Sequence, residues 1–138
     1  MIIVSQCLLG DNCKYNGGNN YSQKVVEYLK NKAYIALCPE QLGGLETPRI
    51  PCERCGKRII NKVGEDKTRE FINGAKQCLK MIEDKDIECA ILQPRSPSCG
   101  KGKIYDGTFT GTLTAGNGVF AQMLLERGIV VKHEDELD

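Results

Sequence analysis

This sequence of 138 residues has no surplus of charge of either sign. Its 19 lysines and arginines nearly balance its 18 aspartates and glutamates, which gives a net charge of +1. A chain so close to neutral has no overall field to steer it to nucleic acid or to an anionic membrane, and we expect neither partner. The sequence also has no long apolar stretch, and residues Met1 to Val4 contain no basic leader. These absences predict a cytoplasmic protein.

The motifs that bind nucleotides are missing as well. Gly10-Asp11-Asn12 is not followed by the Gly-Lys-Ser/Thr ending of a phosphate-binding loop, and Gly116-Asn117-Gly118 lacks the full dinucleotide fingerprint. The sequence therefore argues against nucleotide hydrolysis and against a dehydrogenase. The only histidine, His133, stands among acidic residues at the predicted end of a strand, and we interpret it as incidental to function.

Apolar runs alternate with helical patterns along the chain, which is typical of a parallel sheet. Buried strands are predicted at 2–4, 34–37, 89–92 and 129–131. Helices are predicted after Ser22 as the cap, from Thr68 as the cap to about Asp84, and from Gly118 to Glu126 with Asn117 as the cap. We therefore expect an α/β fold over residues 1–138, as a single domain with a Rossmann-like, mostly parallel sheet and helices on both faces.

Two segments do not follow this alternation. Residues 41–67 combine glycine, proline and many charges with one strand-like run at 58–63, and we interpret them as an excursion at the active site with a possible hairpin. Residues 108–115 are rich in threonine and glycine and are predicted to form a loop.

Cysteine, with eight residues, is abundant for a chain of this length. Without an export signal, disulfides are not expected, and reduced thiols that bind metal or act in catalysis fit better. Cys78 and Cys89 fall at predicted core positions of a helix and a strand.

Three other cysteines, Cys7, Cys38 and Cys99, lie in the loops that follow three predicted strands. The carboxyl ends of parallel strands meet at one edge of a sheet, which is where open α/β sheets bind ligands. Three thiols meeting there predict a soft metal site, because thiolates select zinc, copper(I) or an iron–sulfur cluster. Three protein ligands also leave one coordination position open for chemistry.

Candidate catalytic groups flank these thiols. Glu40 follows Cys38 by two residues, and burial in a cleft would raise the pKa of its carboxyl into a range useful for proton transfer. Ser96 and Ser98 flank Pro97 beside Cys99, where their hydroxyls can donate and accept hydrogen bonds to a ligand.

The remaining thiols leave alternatives open. Cys13 is a fourth ligand, a sulfur acceptor or a spectator. Cys52 and Cys55 form a lone Cys-x-x-Cys pair, which is half a zinc site, a redox-sensitive pair or two ordinary loop thiols.

Taken in order, the motifs of this chain resemble the thiouracil desulfidase family, and the resemblance covers nearly the whole sequence. The matching segments are Ser5–Gly10 with Cys13, Cys38-Pro39-Glu40, Gly43-Gly44-Leu45, Pro48-Arg49, Gly64–Thr68, Phe71, Gly74-Ala75, Ser96–Gly100, Ile104–Phe109 and Gly116–Ala121.

This resemblance implies a [4Fe–4S] cluster held by Cys7, Cys38 and Cys99, with one iron not ligated by protein. It further implies a non-redox desulfuration in which the sulfur of 2-thiouracil, or of a similar thiolated base, binds the open iron. Water then replaces the sulfur, so that the products are uracil and sulfide. By analogy Glu40 is the general base or proton shuttle, and Ser98 and Ser96 hydrogen-bond the substrate.

The expected substrate is a small thiolated base or nucleoside. Relatives that act on transfer RNA carry an additional carboxy-terminal domain, whereas this chain has neither that domain nor a global positive charge. The alternatives are a non-catalytic carrier of sulfur or of an iron–sulfur cluster, and a zinc protein that uses the same three cysteines. The oligomeric state is not predicted.

Overall fold

In the computed structural model, which describes residues 1–137, eight strands and four α-helices follow one another along the chain. They are β1 (Ile2–Ser5), α1 (Gln23–Leu29), β2 (Tyr34–Leu37), α2 (Pro39–Leu42), β3 (Cys52–Cys55), β4 (Arg58–Asn61), α3 (Thr68–Ile82), β5 (Cys89–Ile91), β6 (Lys103–Tyr105), β7 (Leu113–Ala115), α4 (Val119–Glu126) and β8 (Val131–Lys132). No helix among these residues is long and apolar enough to cross a membrane.

Four of the strands form the central sheet in the order β2-β1-β5-β8, and each neighbouring pair is parallel. Ile3 of β1 lies opposite Ile35 of β2 and Ala90 of β5. Two antiparallel hairpins, β3–β4 and β6–β7, stand outside this sheet. The predicted α/β fold with a mostly parallel sheet is thus confirmed.

Helices cover both faces of the sheet, so that its middle strands β1 and β5 are buried at every position. Ile3 contributes to a core that includes Ala75, Phe120 and other buried residues of α3 and α4. Ile2 and Val4 point to the opposite face and pack in a second core with residues of α1. This alternation along β1 explains why the run Ile2–Ser5 is buried throughout.

The α2 helix lies backbone to backbone against α3, and two glycines make this approach possible. A Cβ atom on Gly74 would lie 1.8 Å from the Pro39 carbonyl oxygen, and one on Gly43 would lie 2.0 Å from the Glu70 carbonyl oxygen. No side chain fits at either position. Because α2 begins immediately after Cys38 and carries Glu40, this contact sets the position of both residues relative to the sheet.

The beginnings of two helices differ from the sequence-based expectation. Gly118, not Asn117, is the cap of α4, and the helix amides of Val119 and Phe120 bond to the Pro97 and Ser98 carbonyls. The Asn117 side chain instead accepts from the Gly102 amide. Lys67 takes the cap position of α3, since Thr68 Oγ1 accepts a hydrogen bond from the Ile59 amide instead of capping the helix. Tertiary partners therefore replaced both local caps.

Three strand predictions also need correction. The segment 108–115 is not all loop, because Leu113–Ala115 pairs with Lys103–Tyr105 as a short hairpin. The Cys-x-x-Cys segment is itself a strand, β3, and the last strand of the sheet is Val131–Lys132 instead of 129–131. These strands have only two to four residues, too few to show a clear alternation of apolar and polar positions.

We expect Gly74→Ala to lower the free energy of unfolding by about 1–3 kcal/mol because the added methyl group forces α2 away from α3. Helix propensity alone predicts the opposite sign, a gain of about 1 kcal/mol for replacing glycine by alanine. Urea denaturation decides between the two effects. Asn73→Ala, at an exposed position of the same helix, is the matched control and should be neutral or slightly stabilising. An unchanged or increased stability of Gly74→Ala would contradict the steric account.

Candidate functional site

A cavity of about 490 Å³ opens at the carboxyl ends of β1, β2 and β5, and Cys7, Cys38 and Cys99 all line it. Each of the three thiols is buried and unpaired. Glu40, Ser96 and Ser98 line the same cavity. The structure therefore brings together all six residues that the sequence singled out as site candidates.

Two of the three thiols, Cys7 and Cys38, are placed by short helical turns. Cys7 lies in a turn of 3-10 helix, Gln6–Leu9, that follows β1 directly. The side-chain nitrogen Nδ2 of Asn20 lies 3.7 Å from the Cys7 sulfur. Cys38 follows β2 and is the cap residue of α2, whose first residue is Pro39. Proline suits that first helical position because its missing N–H would have no partner there.

Cys13 lies between these two thiols, and its position changes their acidity. Hydrogen bonding from the Cys13 thiol lowers the pKa of Cys38 to about 7 and also lowers the pKa of Cys7, against the effect of burial. The same hydrogen bonds raise the pKa of Cys13 itself. The thiolate is the form that binds metal, so a hydrogen bond from Cys13 favours the metal-binding form of the thiol that accepts it.

Cys99 is held by the loop Ser96–Gly100, which is fixed from two sides. Within the loop, Ser96 Oγ accepts hydrogen bonds from the Ser98 amide at 3.1 Å and the Cys99 amide at 2.8 Å. From outside, a Cβ on Gly118 would lie 2.4 Å from the Ser98 carbonyl carbon, so only glycine allows α4 to approach this closely. Burial raises the pKa of Cys99, and a hydrogen bond from the Ser5 hydroxyl opposes that rise.

The backbone amides at the start of α4 are hydrogen-bonded to the loop in this contact. Val119, Phe120 and Ala121 donate to the carbonyl oxygens of Pro97 and Ser98. An anion at this helix end would have to displace these carbonyl oxygens. The helix start thus serves to position the Cys99 loop.

Glu40 is paired on both carboxylate oxygens. Its Oε1 accepts two hydrogen bonds from Arg49, from Nη2 at 2.9 Å and from Nε at 3.2 Å. Its Oε2 accepts a hydrogen bond from Ser98 Oγ at 2.7 Å. Because Ser98 has one hydroxyl proton and gives it to Glu40, the proton in the 3.0 Å contact between Ser96 Oγ and Ser98 Oγ comes from Ser96. A chain of hydroxyls therefore leads to the carboxylate.

Arg49 had no role assigned from the sequence, yet it connects several residues in the wall of the cavity. Besides Glu40, its guanidinium donates to the Cys13 carbonyl at 2.9 Å and to Thr47 Oγ1 at 3.1 Å. The side chain is only 8% exposed. The one signal in the sequence was its place in the Pro48-Arg49 motif, because spacing alone does not pair an arginine with a glutamate nine residues earlier.

The Cys-x-x-Cys pair is not a chelating unit. Residues three apart on a strand point to opposite faces and lie about 10 Å apart, and Cys52 and Cys55 occupy the two ends of β3. Cys52 lines the cavity, and burial raises its pKa to about 11. Cys55 is exposed. Neither half a zinc site nor a redox pair fits this geometry.

The residues predicted to be incidental lie elsewhere. Cys78 and Cys89 are buried in the two cores. The ring nitrogens of His133 lie 3.0 and 3.2 Å from the carbonyl oxygens of Leu92 and Lys101, outside the cavity lining.

The donor set of the cavity suits an iron–sulfur cluster. Within residues 1–137, no three histidine, cysteine or acidic side chains are grouped to hold a single metal ion, and zinc needs cysteine sulfurs about 2.3 Å from one point. The cysteines of a cluster bind different irons, so they are distributed around the cluster. Three buried thiols in three separate loops around one cavity meet that requirement.

Comparison with known proteins agrees with this arrangement. The family model described as 2-thiouracil desulfurase matches residues 2–136. The uncharacterized protein YbbK of Bacillus subtilis (strain 168) is 39% identical over 148 aligned residues, which span 100% of this chain and 98% of that protein. The solved structure of the [4Fe–4S]-dependent thiouracil desulfidase TudS is 41% identical and superposes with a TM-score of 0.91, covering 99% of this chain and 91% of that one.

Arg49→Lys should lower the free energy of unfolding by about 1–3 kcal/mol, because lysine cannot make the forked contact to Glu40 and also reach the Cys13 carbonyl. Urea denaturation of the cluster-free protein measures this loss. The matched control is Arg58→Lys, since the ion pair of Arg58 with Asp66 is exposed and should change stability by less than about 1 kcal/mol. Equal effects of the two substitutions would show that Arg49 does not connect the wall of the cavity.

Proposed function

This chain belongs to the 2-thiouracil desulfurase family, and from that premise we propose that it removes sulfur from a thiolated nucleobase or nucleoside. The reaction is the hydrolysis of a thiocarbonyl group: 2-thiouracil and water give uracil and sulfide, with no change in oxidation state. The observation that carries this proposal is that three buried thiols line one cavity together with a carboxylate held by arginine and serine.

The proposed cofactor is a [4Fe–4S] cluster bound by Cys7, Cys38 and Cys99, with one iron not ligated by protein. Support comes from the dependence of the similar enzyme TudS on such a cluster and from the three loops that present these thiols to one cavity. When bound, the cluster supplies a thiophilic Lewis acid that polarises the C=S bond. The position of Cys13, which touches two of the three proposed ligands, makes it a hydrogen-bonding neighbour of the cluster.

Glu40 moves the protons in this proposal. Its Oε2 takes a proton from the water that adds to the thiocarbonyl carbon and returns one to the departing sulfur. Arg49 fixes the carboxylate through Oε1. Oε2 therefore keeps its orientation when the Ser98 hydroxyl turns from Glu40 to the substrate. Positioning of this kind lowers the barrier because the reacting groups need not find each other in solution.

Ser98 hydrogen-bonds the substrate and Ser96 supports it. The hydroxyl of Ser98, now bound to Glu40, can turn its proton to an oxygen that develops on the substrate carbon. Ser96 holds the Cys99 loop through two amides and donates to Ser98, so its proposed contribution is to orient Ser98.

The proposed substrate is small, and the proposed location is the cytoplasm. A cavity of about 490 Å³ suits a base or a nucleoside. All eight cysteines are unpaired in the structure, which suits a reducing compartment.

Replacing a proposed ligand should remove the cluster. We expect Cys99→Ser, reconstituted anaerobically with iron and sulfide, to lose most of the visible absorption of the cluster and most of its iron, about four atoms per chain in the unaltered protein. Cys55→Ser is the matched control, because Cys55 is exposed and outside the cavity lining. Full iron content in Cys99→Ser, or binding of zinc alone by the unaltered chain, would refute the assignment.

Removing the proton carrier should stop turnover and leave the cluster in place. We expect Glu40→Gln to release uracil from 2-thiouracil at least a hundredfold more slowly, with unchanged iron content and absorption. The exposed Glu46→Gln is the control and should retain normal turnover. If Glu40→Gln is fully active, the assigned role is wrong. If the loaded protein turns over no thiolated base, a carrier function explains the site better.

A further inference from the structure

A second carboxylate lies in the wall of the cavity, and the reaction proposed above does not use it. Glu53 is on β3, is only 9% exposed and lines the cavity. Acidic side chains are seldom buried to this extent unless they are paired. The contacts of its two oxygens show what it is available to bind.

One oxygen of Glu53 already accepts two hydrogen bonds from the protein. Oε1 accepts hydrogen bonds from the Gly107 amide at 3.0 Å and the Phe109 amide at 3.1 Å. Phe109 has a φ angle of 57°, a left-handed conformation that is unusual for a bulky residue. The Glu53 carboxylate thus holds the loop in a conformation that puts Phe109 in the cavity wall.

The other oxygen, Oε2, has no hydrogen-bond or ion-pair partner among residues 1–137. The adjacent Arg54 is directed elsewhere, to the carbonyl oxygens of Gly56 and Asn117. No buried polar side-chain atom of the described chain is both fully enclosed and unpaired, so Oε2 keeps contact with open space. Glu53 is itself one of the residues that line the cavity.

A ligand with an N–H group can donate a hydrogen bond to Oε2, which favours its binding. A partly desolvated carboxylate oxygen without a donor costs free energy, and a donor on the ligand restores the missing hydrogen bond. A pyrimidine with sulfur on C2 carries N–H groups beside the C=S bond. A nucleoside has its sugar on N1, so N3–H is the donor that the base and the nucleoside share.

We propose that Glu53 Oε2 accepts the N3–H of the pyrimidine and that Phe109, held by Oε1 of the same carboxylate, packs against the ring. Glu53 is then a substrate-binding residue that selects rings with an N–H next to the reacting carbon. This inference rests on the proposed function and adds the group that orients the ring.

Glu53→Gln tests the inference with little change in structure. The amide oxygen of glutamine can still accept from Gly107 and Phe109, which leaves the NH₂ group, a donor, where Oε2 stood. The probes are uracil, 1-methyluracil and 3-methyluracil, titrated into the cluster-loaded protein and followed by ligand-observed NMR. These products report binding without turnover. Glu27→Gln, an exposed position on α1, is the matched control.

In the unaltered protein, 3-methyluracil should bind about tenfold to a hundredfold more weakly than uracil, and 1-methyluracil should bind like uracil. Glu53→Gln should weaken uracil binding by a similar factor and remove the difference between uracil and 3-methyluracil. Iron content and the urea midpoint of Glu53→Gln confirm that cluster and fold persist.

Three results would overturn the inference. The first is an equal affinity of the unaltered protein for uracil and 3-methyluracil, which needs no variant. The second is a preference for uracil over 3-methyluracil that persists in Glu53→Gln, since a steric clash of the methyl group would then explain it. The third is a loss of affinity on methylation at N1 as large as the loss on methylation at N3. Release of uracil from 2-thiouracil by the unaltered protein separates these failures from a failure of the proposed function itself.

Discussion

The contact of the α2 backbone with the α3 backbone is the constraint on which the cavity depends. It places Cys38 and Glu40 at a fixed height above the edge of the sheet, and it exists only because Gly43 and Gly74 have no side chains. A similar contact between Gly118 and Ser98 fixes the Cys99 loop. Two of the three loops that carry the proposed ligands are thus positioned by main-chain packing, which has fewer alternative arrangements than side-chain packing.

The charged groups of the cavity link the loops that this main-chain packing positions. Arg49 joins the loop of Cys13 to Glu40, and Glu40 is joined through Ser98 to the loop of Cys99. One network of hydrogen bonds therefore spans the segments that follow β1, β2 and β5. Because the Arg49 and Glu40 side chains are largely buried, such bonds are stronger than they would be on the surface and hold the carboxylate in one direction.

The sequence predicted the features that depend on position along the chain. The ends of three apolar strands located Cys7, Cys38 and Cys99, and adjacency located Glu40, Ser96 and Ser98. The spacing did not predict Arg49 or Glu53, because their partners are nine and more than fifty residues away. Asn117 was misassigned for the same reason: its partner, the Gly102 amide, lies fifteen residues earlier. What depends on contacts between distant segments could be found only in three dimensions.

The hairpins β3–β4 and β6–β7 lie outside the four-stranded sheet, and they contribute Glu53 and, through the turn between β6 and β7, Phe109 to the cavity. The thiols, in contrast, follow strands of the sheet itself. The proposed cluster ligands and the proposed ring-binding residues Glu53 and Phe109 therefore lie on parts of the chain that can vary separately. A change in the length or composition of a hairpin alters the shape of the cavity without moving Cys7, Cys38 or Cys99. An ancestor with this architecture could acquire new substrates by accumulating substitutions in the hairpins while its reaction stayed the same.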